Sequence, residues 1–399
     1  MMHSGPIRRA RSVSRRALVA GGAAVAIAAP LSHAVAQKGT IDSGARISGS
    51  GQGPGEMLSL VPKGLLPAGD MLFDWFDRKA HFNAAGFAYP LQEIPPVEYL
   101  TSVATSDPLI QWAASEEVRD LLGFAAFDVD QVLCVGVPPN TVVIYRGGVF
   151  FGDLAPIWEA GGYEPASAGF GDFWTRGQEA EIDFADPLQR MVMARLNNIA
   201  LLDGETLACA TTATLLEAVV RHANEGGVSA AESPDIAPLL ERMPEGTANV
   251  VGFGGDVFNM SDTVASQVLL GGPDAVAELE DVVAESDAAV GPMPRIRAAI
   301  GGASAGVKTG DVGDQSAFLS LLPLSGDHAG NAADVIFWRY EHMTSVVTRE
   351  PYTDVFEIVN TAETAVDGPV VTVTFSGEDA GRAVWYRMMI GRDVLMFAW

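Results

Sequence analysis

The chain has 399 residues, 48% of them hydrophobic, with 50 acidic side chains against 25 basic ones and a formal charge of −25. A surface this acidic repels phosphate backbones and anionic lipid headgroups, which argues against nucleic-acid and peripheral membrane partners. Two cysteines are too few for a disulfide framework or a thiolate metal site, and the length suits one large or two ordinary domains.

Five arginines (Arg8, Arg9, Arg11, Arg15 and Arg16) precede an apolar stretch from Ala17 to Pro30. Ala34-Val35-Ala36 then supplies a small-residue cleavage site before Gln37. This is the positive, apolar, A-x-A order of an export signal peptide over residues 1–36, too short and too rich in Gly and Ala to span a membrane permanently. All five arginines leave with the signal and no acidic residue does, so the mature chain is the more acidic form. Within the signal, Ser14-Arg15-Arg16-Ala17-Leu18-Val19 resembles the twin-arginine leader, S-R-R-x-[FL]-[LV], of bacterial and archaeal proteins exported already folded. The resemblance implies a translocase as transport partner and a periplasmic or extracellular destination. No apolar run after Ala36 reaches ~18 residues, so no transmembrane segment is expected after cleavage.

Residues 37–58 are rich in Gly and Ser and read as a flexible linker. A folded α+β domain is expected over 59–270. Its clearest pieces are two hairpins, Gln131–Val137 with Thr141–Arg146 and Asn198–Leu202 with Thr206–Ala210, the second turning at Asp203-Gly204-Glu205. A helix is expected after each, over Asp153–Ala160 and over Thr212–Asn224, where Leu215, Val219 and His222 share a face. A third, Asp235–Arg242, leads into a strand over Ala248–Phe253. Residues 271–333 read as a connecting segment: a helix from Pro273 to about Ala289, a short helix near Arg295–Ile300, then a Gly-rich stretch.

A second α+β half, 334–399, is expected to complete the sheet. Asp130 at the start of a strand, Val142-Val143, Arg146 and the helix at Asp153-Leu154 have counterparts in Asp334, Val346-Val347, Arg349 and Asp354-Val355. That spacing suggests two related hairpin–helix halves. Strands are then expected over Pro369–Phe375, Arg382–Ile390 and Val394–Trp399. Runs of hairpins with helices between them, without strict β–α alternation, indicate an α+β fold with antiparallel sheets. Together with the leader, these paired units resemble exported bacterial proteins of unknown function. A terminal aromatic strand also occurs in outer-membrane barrels, but the helices and export in folded form favour a last core strand.

Motifs for chemistry are sparse. Gly302-Ala303-Ser304-Ala305-Gly306 matches G-x-S-x-G, with Asp314, Asp327 and His328 following in order. The helix expected before it, where a nucleophile elbow needs a strand, favours a loop. If Asp74–His81 is helical, Asp74, Asp77 and His81 share a face and form a candidate divalent-metal site of two carboxylates and an imidazole. The competing reading is a solvated face of an amphipathic helix. Cys134 and Cys209 are a possible disulfide, with buried free thiols as the simpler account. Trp158, Tyr163, Phe170, Phe173 and Trp174 could line a groove or pack a core. Gly252-Phe253-Gly254-Gly255-Asp256 follows a strand but reads as a turn, and no motif implies a cofactor. The functional expectation is an exported, non-enzymatic protein binding a ligand, ion or partner; the alternative is an exported hydrolase whose site is scattered in sequence.

Overall fold

Strands whose residues are buried on both sides dominate this chain, and their lack of alternation shapes what can be read from them. The computed structural model describes residues 53–67, 69, 71–84, 86–91, 106–113, 115–137, 139–149, 151–179, 181–260, 273–304, 317–325, 329–345, 350–355, 357–360, 369–376 and 396–399. Among these residues twelve strands form one sheet: β1 (Met71–Asp77), β2 (Gln131–Val137), β3 (Asn140–Arg146), β4 (Glu164–Ala168), β5 (Gly171–Thr175), β6 (Asn198–Leu201), β7 (Thr206–Ala210), β8 (Thr247–Gly254), β9 (Ile296–Ser304), β10 (Ala317–Pro323), β11 (Glu357–Asn360) and β12 (Val371–Ser376). Their order is β11-β12-β10-β9-β8-β1-β2-β3-β7-β6-β5-β4, and every pairing between them is antiparallel. The fold is α+β. Among the described residues no helix is long and apolar enough to cross a membrane.

Among the described residues ten α-helices accompany the sheet: α1 (Pro54–Leu58), α2 (Arg78–Ala84), α3 (Glu116–Leu122), α4 (Ala155–Ala160), α5 (Pro187–Val192), α6 (Ala213–Glu225), α7 (Ala237–Leu240), α8 (Pro273–Val290), α9 (Ala329–His342) and α10 (Tyr352–Val355). Successive strand residues point to opposite faces, which sorts the core. On one face, Phe73 and Trp75 of β1, Leu133 and Val135 of β2, Val250 of β8 and Ile300 of β9 pack beneath α1, α6 and α7. On the other, Phe76, Val132, Cys134, Val143 and Tyr145 pack with Val118 and Leu122 of α3, Trp158 of α4 and Met191 of α5. Next to that core on the same face, Val251, Ala299, Leu319 and Val373 pack beneath α8, α9 and α10.

Local chemistry explains the boundaries. Thr212 Oγ1 accepts the Leu215 amide at 3.3 Å and caps α6, and Asp186 Oδ1 accepts Gln189 N at 3.0 Å to cap α5, which begins at Pro187. Gly123, with φ of 76°, ends α3 in the left-handed conformation that glycine adopts most readily.

Several expectations need correction. Residues 296–304 form a strand and not a helix, and β9 with β10 lies between β8 and β12. The segment 271–333 therefore supplies two interior strands of the sheet and is no connector. Asp334 lies inside helix α9 where a strand start was expected, so its match to Asp130 fails, and among the described residues two related halves are not seen. Val346, Val347, Arg349 and the expected strand at 382–390 lie outside the described residues. Met396–Trp399 forms no strand; Met396, Phe397 and Ala398 are buried against the core below α9. The hairpins formed almost at their expected limits, as β2–β3 and β6–β7.

Candidate functional site

The metal expectation depended on a helix through residues 74–81, and that premise fails. Asp74 and Asp77 belong to β1, and three steps along a strand put them on opposite faces. Asp74 is buried, and its Oδ2 accepts the Ser106 amide. Asp77 begins α2 as its cap: Oδ1 accepts Ala80 N at 2.7 Å, and Oδ2 accepts Gln131 Nε2 at 2.8 Å. Burial, and then the charge of Asp130, raises the Asp77 carboxyl above its ordinary range. His81 is buried between Phe76 and Phe82, with ring centroids 5.4 and 5.1 Å away, and burial pushes its pKa down to about 4. Among the described residues no three His, Cys, Asp or Glu side chains are grouped to hold a metal ion.

The cysteines are free and buried. Register explains why they stay apart: Cys134 on β2 faces Val143 on β3, and Val143 faces Cys209 on β7. One strand lies between them, a separation of about 10 Å, beyond the ~7 Å limit for a bridge. Burial, with Asp74 nearby, pushes the Cys134 thiol up to about 12, and burial raises Cys209 further. A thiol reagent should therefore label neither cysteine in the native protein and both after denaturation without reductant. Labelling of native protein would refute this burial.

The aromatic cluster divides between the two faces. Trp158 Nε1 donates to Leu122 O and Tyr163 Oη to Leu196 O, both at 2.8 Å, and Trp158 meets Trp174 edge-on at 5.1 Å. Phe170 and Phe173 pack on the opposite core. Of the G-x-S-x-G match, Gly302, Ala303 and Ser304 end β9, with Ser304 paired to Thr247. Gly306, Asp314, Asp327 and His328 lie outside the described residues.

A buried ion pair anchors the centre of the sheet. Arg78, fully buried at the start of α2, pairs through Nη2 with Asp107 Oδ2 and donates through Nη1 to Ala126 O. Asp107 Oδ1 accepts Tyr145 Oη at 2.9 Å and Leu109 N at 3.0 Å. This cluster is closed to solvent and holds the 106–113 segment against α2 and β3.

The structure opens instead at a cleft of about 400 Å³, lined by Leu72, Gly254, Gly255, Asp256, Arg295, Arg297, Asp235, Leu324 and Trp399 among others. Its floor is backbone. A Cβ at Gly254 would lie 2.2 Å from Gly69 O, and one at Gly255 would lie 2.0 Å from Ile296 O. Only glycine permits that approach. Asp256 follows on a short 3₁₀ turn, Gly255–Phe258. Trp399 is fixed by main-chain bonds, its N to Phe258 O at 2.9 Å and its O from Met260 N at 3.0 Å. Buried Arg339 of α9 holds the preceding residue, donating from Nη1 to Ala398 O at 2.6 Å.

The charges in the cleft fall into two kinds. Arg297 pairs with Asp235 at the rim. Arg295 lies over the Trp399 ring, 4.3 Å from its centroid, and its main-chain O accepts Leu324 N at 2.8 Å. Among the described residues the Arg295 guanidinium has no ion partner, and neither has the Asp256 carboxylate. The buried Trp399 Nε1 likewise has no hydrogen-bond partner among them. Sequence reasoning missed this cleft, whose lining comes from six separate segments: 67–72, 235, 254–256, 295–298, 324 and 399. Its one local trace was the glycine pair before Asp256.

No family model matches the chain, and no curated protein matches it. Among solved structures it is similar to crystal form I of TP0453, with a TM-score of 0.32 and 9% identity over 82% of this chain and 97% of that one.

Proposed function

We propose that this is an exported protein that binds a small ligand without transforming it, and that the ligand enters the cleft at Arg295, Asp256 and Trp399. The observation that carries the reading is two opposite charges in one cleft, each without an ion partner among the described residues, beside an aromatic ring. Elsewhere, groups suited to catalysis serve the fold: Asp77 caps a helix, His81 is buried among rings, and both thiols are buried and protonated. The test is to release any small molecule carried by the envelope-purified protein, identify it by mass, and rebind it. Rebinding with unchanged mass supports the reading, and conversion of the molecule by the protein refutes it.

Export rests on the leader. Replacing Arg15→Lys together with Arg16→Lys should leave folded precursor inside the cell, because the arginine pair is what a folded-protein translocase reads. Unimpaired export of a reporter on the altered leader would rule that route out.

One observation favours the hydrolase alternative. Ser304 ends a strand, and a strand is the first half of a nucleophile elbow.

A further inference from the structure

The structure assigns the cleft to a zwitterion of amino-acid size: a molecule carrying a carboxylate and an ammonium group on an apolar body. This rests on the binding reading above and names its ligand class. The argument begins with charge. Arg295 and Asp256 line the same cleft yet pair neither with each other nor with another charged side chain among the described residues. The other two charged groups there, Arg297 and Asp235, satisfy one another. The charged side chains of the lining therefore sum to zero and provide a cationic and an anionic post.

Each post has a matching partner on such a ligand. The Arg295 guanidinium lies over the Trp399 ring and makes no ion pair among the described residues, so its N–H donors can grip a planar carboxylate through two parallel hydrogen bonds. Asp256 offers acceptors only, which suits an ammonium group. A simple anion would leave Asp256 unanswered, and a simple cation would leave Arg295 unanswered. Leu72, Ile296 and Leu324 also line the cleft, and Leu324 is 62% exposed, large for a leucine with nothing over it. A volume of about 400 Å³ lies within the range of small-molecule sites.

Titration calorimetry on the mature chain tests this with L-leucine, L-phenylalanine, N-acetyl-L-leucine, L-leucinamide and inorganic phosphate. The free amino acids should bind, and blocking either end should weaken binding by about tenfold or more. Arg295→Ala should weaken leucine by a similar factor while leaving leucinamide unchanged. Asp256→Asn should weaken leucine while leaving N-acetyl-leucine unchanged. Both side chains are exposed, so melting temperatures matching the parent confirm intact folding.

The inference is overturned if N-acetyl-leucine binds as tightly as leucine, if phosphate displaces leucine completely at equal concentration, or if neither amino acid binds at about 10 mM. A carried ligand that lacks one of the two charges, yet is lost in Arg295→Ala, overturns the zwitterion and leaves the binding reading standing. Turnover of a bound zwitterion would do the reverse.

Discussion

Replacing Asp107 by Asn should destabilise the protein by about 3–5 kcal/mol, the range for leaving one member of a buried ion pair without its counter-charge. Asn keeps an oxygen for Tyr145 Oη and Leu109 N, while its amide NH2 replaces the Oδ2 that accepts Arg78 Nη2, so the variant loses the counter-charge together with that one hydrogen bond. What remains is the Arg78 guanidinium, whose own pKa burial already lowers, with Ala126 O still accepting from Nη1. The ion pair itself is not expected to be the net source of stability. Removing two charges from water costs more than their attraction returns unless the geometry is ideal. Arg78→Met combined with Asp107→Leu should therefore be less damaging than Asp107→Asn alone. Urea denaturation of the three variants decides this: a double variant at least as unstable as the single one would show that the pair stabilises the fold in its own right.

The elements that were legible in the sequence are those whose signals are local. The β2–β3 and β6–β7 hairpins announce themselves through apolar runs on either side of turn residues, and α6 through Thr212 and the glycines after Glu225. β9 failed for a physical reason. Its sequence, Ile296-Arg297-Ala298-Ala299-Ile300-Gly301-Gly302, has small apolar residues on both faces because Ala298 and Ile300 meet one core while Ile296 and Ala299 meet the other. Without alternation, such a run has no period to separate strand from helix. Gly302 is needed there because a Cβ would lie 2.3 Å from Asn249 O, a contact that no single-strand pattern records.

The same limit hid the cleft. Gly69, Asp235, Asp256, Arg295 and Trp399 meet only because β8, β9 and the last residues of the chain converge beside the 3₁₀ turn after β8. The two arginines bracketing Ile296 fell within the short helix expected near Arg295–Ile300. In the structure Arg297 answers Asp235 while Arg295 turns to Trp399. The Asp74–Asp77–His81 spacing misled in the opposite sense. It fits a helix, but β1 gives way to α2 at Arg78, within the motif, and disperses the three groups into a core, a cap and an aromatic nest.

That dispersal leads to a second large effect, in acid. His81 is buried against Phe76 and Phe82, and its Nε2 has no hydrogen-bond partner among the described residues. The imidazolium would be stranded there, so the fold favours the neutral ring and its pKa falls from 6.5 to about 4. A lowered histidine pKa means that the unfolded chain takes up the proton first. Stability from neutral His81 is complete above pH 6.5 and is lost as the pH falls from there through 4, by about 3 kcal/mol in all. His81→Leu removes the proton site and keeps the apolar packing, so it should flatten this part of the stability profile between pH 7 and 4. Carboxylates titrate in the same range, which makes the difference between the parent and His81→Leu the quantity to measure, by denaturant unfolding at closely spaced pH values. Parallel profiles for the two proteins would mean that His81 is already solvated or paired in the fold, and the acid sensitivity would then belong to the carboxylates.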